Sequence, residues 1–131
     1  MKVKKNILIL LLLMLAAILA GCSAEEVLSV GKPFHEAGVE GVRFHTEVDD
    51  SAQIQQLRSL LDDLTVKNSI GEPGRTADTA FVLKRPKQGV AEKFAYLWYT
   101  EDGTAVLKEG EQFYLADKEQ AGKLKKLLDQ Q

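Results

Sequence analysis

The chain has 131 residues, with 17 basic and 19 acidic side chains and a formal net charge of −2. That length holds one small domain and makes two improbable. A mildly acidic balance argues against nucleic-acid binding, which needs clustered Lys and Arg, and a lone cysteine excludes an intramolecular disulfide or a CxxC metal site.

The first two dozen residues hold the clearest pattern. Lys2, Lys4 and Lys5 make a positive head, and Ile7 to Ala20 is an unbroken apolar run of fourteen residues. Small residues follow at Gly21-Cys22-Ser23. A positive head, a short apolar stretch and a small-residue cleavage site are the parts of a secretory signal. Leu19-Ala20-Gly21-Cys22 resembles the lipobox of bacterial lipoprotein precursors. The resemblance implies cleavage between Gly21 and Cys22 and acylation of the Cys22 thiol, which becomes the lipid-bearing N-terminus. Residues 1–21 are then a signal peptide, 22–26 the lipidated cysteine and a short tether, and 27–131 a single domain.

The alternative is an uncleaved membrane helix. A span needs ~20 apolar residues; the strict run is shorter, although the uncharged stretch from Asn6 to Ala24 just reaches. Under the positive-inside rule both readings place the domain outside the cytoplasm. Losing the three lysines leaves 14 basic against 19 acidic residues, a net charge of −5. Anionic head groups would weakly repel such a domain. Acyl chains contribute ~0.8 kcal/mol per buried CH₂, so the lipid on Cys22 is the expected membrane attachment. A five-residue tether reaches at most about 15–18 Å, which keeps the domain near the bilayer surface.

Along the domain, Val27-Leu28-Ser29-Val30 predicts a strand. Gly31-Lys32-Pro33 and Gly38-Val39-Glu40-Gly41 predict turns. Val42 to Val48 alternates, with Val42, Phe44, Thr46 and Val48 on one face and Arg43, His45 and Glu47 on the other. Asp50 is a candidate N-cap, and Ile54, Leu57, Leu61 and Leu64 give the apolar stripe of a helix over 50–64. Thr65-Val66-Lys67 is a candidate short edge strand. The Gly- and Pro-containing stretch 68–76 predicts a mobile loop.

Thr79 to Lys84 reads as a strand. Residues 92–100 make the strongest one, with Phe94, Tyr96 and Trp98 on one face and Ala95, Leu97 and Tyr99 on the other. Asp102-Gly103 signals a hairpin. Strands over 104–108 and 112–116 complete a C-terminal three-strand meander. Asp117 then caps a last helix with the stripe Ala121, Leu124, Leu127 and Leu128. The expected fold is α+β: a mainly antiparallel sheet of five or six strands with two packed amphipathic helices.

Phe81-Val82-Leu83, Tyr96-Leu97-Trp98, the Gly103 hairpin, Tyr114-Leu115 and the Leu-rich terminal helix occur in an order similar to that of the YhfM-like domain of small Gram-positive lipoproteins. The chain resembles that family over most of residues 27–129. The resemblance implies no activity and no cofactor.

A search for chemistry leaves few candidates. No serine lies in a Gly-x-Ser-x-Gly elbow, and Gly71-Glu72-Pro73-Gly74-Arg75 lacks the Lys-Ser/Thr of a phosphate loop. His35 and His45 are the only histidines; a metal site needs three or four converging ligands. The pairs Glu25-Glu26, Asp49-Asp50 and Asp62-Asp63 lack calcium-loop spacing. The aromatic stripe has two readings. It forms the sheet face that the two helices cover, leaving Tyr99 as the exposed ring, or it binds a peptide, a glycan or a partner protein. Tyr96, Trp98 and Tyr99 are the candidate partner-binding residues, because Trp and Tyr dominate interface hot spots.

The expected function is that of a membrane-anchored extracytoplasmic lipoprotein, non-enzymatic and engaging a protein partner. The alternative is a small-ligand or metal-binding sensor, with loop 68–76 or the His35/His45 region at its mouth. No cofactor and no nucleic acid is expected.

Overall fold

The computed structural model describes residues 6–12 and 25–129. Residues 6–12 are helical. The cleavage site Gly21-Cys22 lies outside the described residues. Among those described, no helix is long and apolar enough to cross a membrane.

The domain is α+β, with seven strands in one antiparallel sheet. The strands are β1 (Val27–Glu36), β2 (Val39–Val48), β3 (Thr65–Val66), β4 (Thr79–Arg85), β5 (Val90–Tyr99), β6 (Ala105–Glu109) and β7 (Gln112–Ala116). Their order across the sheet is β2-β1-β4-β5-β6-β7-β3. Helices α1 (Ser51–Asp62) and α2 (Lys118–Leu128) complete it. The seventh strand is the two-residue edge piece Thr65–Val66, paired with Tyr114 and Leu115.

Both helices start where their caps direct. The Asp50 carboxylate accepts the Ala52 and Gln53 N–H groups, and Asp117 and Gln120 form a complete capping box. Lys125 and Lys126 in the last turn of α2 suit the negative end of its dipole. Ile54, Leu57 and Leu61 of α1 and Ala121, Leu124 and Leu128 of α2 are buried against one sheet face. That face carries Leu28, Val30, Phe81, Leu83, Ala95, Leu97, Ala105 and Leu107, the inward members of each strand's two-residue alternation.

This corrects the expectation for the aromatic stripe. The helices cover the Ala95–Leu97–Tyr99 side of β5, not the Phe94–Tyr96–Trp98 side. Tyr99 is therefore half-buried beside α2 and is not the exposed ring. Leu28, Val30, Leu83 and Leu97 already supply an aliphatic layer that interlocks with leucine-rich helices, so the aromatic side is left for other contacts.

One further expectation needs correction. Gly31 to Pro33 is not a turn, because β1 runs on to Glu36 and the reversal comes at Ala37-Gly38. Both of these have positive φ, 52° and 79°, as a two-residue hairpin following the sheet's twist requires. Gly31 instead marks a bulge. Val30 pairs with Thr46 and Gly31 with Phe44, so His45 is the extra residue. A bulge resets the alternation. Phe44 consequently leaves the face of Val48 and joins that of Tyr96. The segment 68–76, expected to be mobile, bonds to the sheet at Asn68, Glu72 and Arg75.

Candidate functional site

The second sheet face carries its own small cluster. Trp98, Val106 and Ala77 are buried together, with Ile70, Tyr96 and Phe113 packed around them. One cross-strand row runs Phe44, Gly31, Ala80, Tyr96, Lys108, Phe113 from β2 to β7. Small residues at its centre leave a low floor between aromatic side chains. Phe94 meets Tyr96 edge-on at 5.0 Å, and Tyr96 meets Trp98 at 6.4 Å. Phe44 and Phe94 remain 47% and 39% exposed, an outlay of apolar surface that marks contact sites when it is contiguous.

The loop from β3 to β4 crosses this face because β3 is an outer strand while β4 lies in the middle. It is fixed at its start where the Lys67 N–H donates to the Phe113 carbonyl at 2.8 Å and the Phe113 N–H donates to the Asn68 side chain at 2.9 Å. At its end the Arg75 guanidinium donates to both Asp78 carboxylate oxygens, at 2.8 and 3.0 Å. Asp78 also accepts the Tyr99 N–H at 2.7 Å. Burial alone would lift the Asp78 carboxyl, but Arg75 and the Tyr99 N–H outweigh it and hold it below the usual range.

Between this loop and the β1–β2 hairpin lies a cleft of about 650 Å³. Its floor includes Tyr96 and Trp98, and its walls include His35, Glu40, Glu72 and Lys108. Phe34 leans over Gly41 on the hairpin side, with the Arg43 guanidinium 4.4 Å from its ring centre. His35 and Glu40 are cross-strand partners, 3.2 Å apart. Lys108 pairs with Glu72 of the loop at 3.2 Å.

The structure thus brings together Tyr96, Trp98, His35 and the loop, which the sequence offered separately. It does not join His35 to His45, whose Nδ1 lies 2.7 Å from the Thr46 hydroxyl at the bulge. Among the described residues, no three His, Cys, Asp or Glu side chains converge as a metal would need. Tyr99 belongs to the opposite face, where its hydroxyl donates to Asp129. Trp98 is only 2% exposed, so it supports the cleft from beneath rather than presenting a free ring.

Glu40, Glu72 and Lys108 are cleft residues that periodicity does not reveal. Their only sequence signal is adjacency to turns. Lys108 falls beside Tyr96 through a register that hairpin lengths set. No family model, curated protein or solved structure matches the chain.

Proposed function

We propose that the chain is a membrane-anchored extracytoplasmic lipoprotein whose domain is a non-enzymatic interaction module. The observation that carries this reading is the unequal dressing of the sheet. Helices cover one face, while the other exposes Phe44 and Phe94 and holds a cleft lined in part by Tyr96. Aromatic residues supply most binding energy where water is excluded around them. The anchor rests on the lipobox resemblance at Cys22 and puts this face within a short reach of the bilayer.

A photoreactive phenylalanine analogue at Phe44 or Phe94 tests the reading in the full chain, expressed in a lipoprotein-processing bacterium. A discrete crosslinked protein in the membrane fraction is expected. No adduct from either position, with the same probe active in denatured chain, overturns it. Cys22→Ala is expected to abolish acylation and signal removal, read by mass spectrometry.

The second reading is a small-ligand sensor. It draws on the cleft itself, where His35 and the loop 71–77 form the two sides of one opening.

A further inference from the structure

We infer that the cleft between the β1–β2 hairpin and the loop 71–77 binds a neutral oligosaccharide. The inference rests on the small-ligand reading and names the ligand class. It begins with charge. The guanidinium and ammonium groups lining the cleft each have an acid beside them, Arg75 with Asp78 at 2.8 Å and Lys108 with Glu72 at 3.2 Å, and the His35 ring lies 3.2 Å from Glu40. A charged ligand would compete with these pairs for their charges, whereas an uncharged one leaves all of them in place.

The remaining groups specify what kind of uncharged ligand. The Glu40 and Glu72 side chains are 82% and 56% exposed. Carboxylate oxygens accept several hydrogen bonds at once, beyond a single ion pair, and adjacent hydroxyls of a sugar supply donors for them. The Tyr96 hydroxyl has no protein partner among the described residues. A phenol both donates and accepts, and its ring offers an apolar platform to the C–H face of a sugar. The cleft falls within the roughly 300–1,000 Å³ of ordinary ligand sites, but its lining is aromatic and ionic rather than aliphatic.

A peptide would use the cleft less well. Extended peptides gain affinity by adding to a sheet edge, whereas the floor of this cleft, Tyr96 and Trp98, lies on the sheet face over the central strand β5, with β2 reaching it only through Glu40 and Gly41 of the hairpin.

The chain carries its own reporter. Trp98 is the only tryptophan, and its ring lies 6.4 Å from Tyr96. The experiment titrates the full chain, held in a detergent without a sugar head group, with chitotriose, cellotriose and maltotriose while following Trp98 fluorescence. At least one trisaccharide is expected to give a saturable change below about 1 mM. Because the ligand is neutral, about 0.5 M salt should leave the midpoint unchanged. Tyr96→Phe and Glu40→Gln should each weaken binding by about three- to tenfold, the loss of one hydrogen bond. Both variants keep the ring or lie in an exposed position, and near-UV circular dichroism checks that they fold.

No response to any trisaccharide up to about 10 mM overturns the proposal, since such weak binding is negligible. So does a response that both variants leave unchanged. Trialanine and inorganic phosphate serve as further probes. A response to either without one to sugars overturns the saccharide class and leaves the small-ligand reading standing; silence with every probe removes both.

Discussion

The Trp98 indole donates its N–H to the Arg75 carbonyl at 2.8 Å, so a ring buried in the open sheet face holds the loop that crosses it. The same loop residue reaches back through its guanidinium to the Tyr99 carbonyl at 2.5 Å. Loop and strand β5 therefore grip each other at two successive residues. Trp98→Phe keeps an aromatic ring but removes the donor and leaves a gap. Unfolding in urea should show a loss of about 1–3 kcal/mol from the unmade bond and the lost volume. Amide exchange should quicken at 75–78 well before it quickens in α2. Equal loss of protection in both would show that the bond is not local to the loop.

Asp129 caps α2, where a carboxylate opposes the helix dipole. The Thr79 and Tyr99 hydroxyls both donate to it and offset that cost. Burial, then Asp129, pushes the Tyr99 phenol well above its usual value. The folded state therefore holds this proton more tightly than the unfolded chain does. The stabilisation is fully present below the unfolded value of about 10 and fades as pH rises beyond it. Guanidinium unfolding midpoints should fall between neutral and strongly alkaline pH, and Tyr99→Phe should flatten that fall. In an ultraviolet titration of the three tyrosines, one should ionise only as the protein unfolds.

Much of this architecture is legible in the residues. The caps Asp50 and Asp117, the helix stripes and the Gly103 hairpin each have a local cause, and each is where the sequence places it. The faces of β5 were not legible, because both are apolar and alternation alone cannot say which one the helices take. The bulge at His45 was hidden for another reason: Val42 to Val48 alternates without a flaw, and only its partner Gly31 forces the slip. The cleft was least legible of all. Glu40, Glu72 and Lys108 meet through long-range register, and Arg75 reads as an ordinary loop residue until Asp78 and Trp98 are placed beside it.

Arg58 of α1 bridges two carboxylates distant in sequence. It meets Glu26, just before β1, at 2.8 Å and Glu92 of β5 at 2.6 Å. Glu92 is the extra residue of a second bulge, because Leu83 pairs with Lys93 and Lys84 with Ala91. Arg85 joins the same two acids at 3.2 Å each. The Arg58 guanidinium, 18% exposed, holds the Glu92 carboxyl below its usual range. A lowered carboxyl value means stability present above the unfolded value near 4.3 and lost as pH falls through the folded one. Arg58→Ala should cost about 1–3 kcal/mol at pH 7, because two partly buried acids lose a shared partner. At about pH 3 the cost should shrink as Glu92 protonates. A cost independent of pH would show that only the packing of the arginine stem matters.

Gly31 is held in place by its neighbours rather than by its own dihedral angles. A Cβ there would lie 2.6 Å from the Arg43 carbonyl oxygen and 2.8 Å from Val42 Cγ1. Backbone of the paired strand cannot yield without undoing the bulge that turns Phe44 toward the open face. At Gly41 the obstacle is the Phe34 ring, also at 2.8 Å, and that side chain can swing toward solvent. Equal chemistry at the two glycines should therefore give unequal cost. Gly31→Ala is expected to lose about 2–3 kcal/mol through overpacking, and Gly41→Ala less than about 1 kcal/mol. Thermal and urea unfolding of the two variants decide the matter. A comparable loss at both positions would mean that the hairpin, not the bulge, sets the tolerance. A small loss at Gly31 alone would show that β1 and β2 can separate without harm to the sheet.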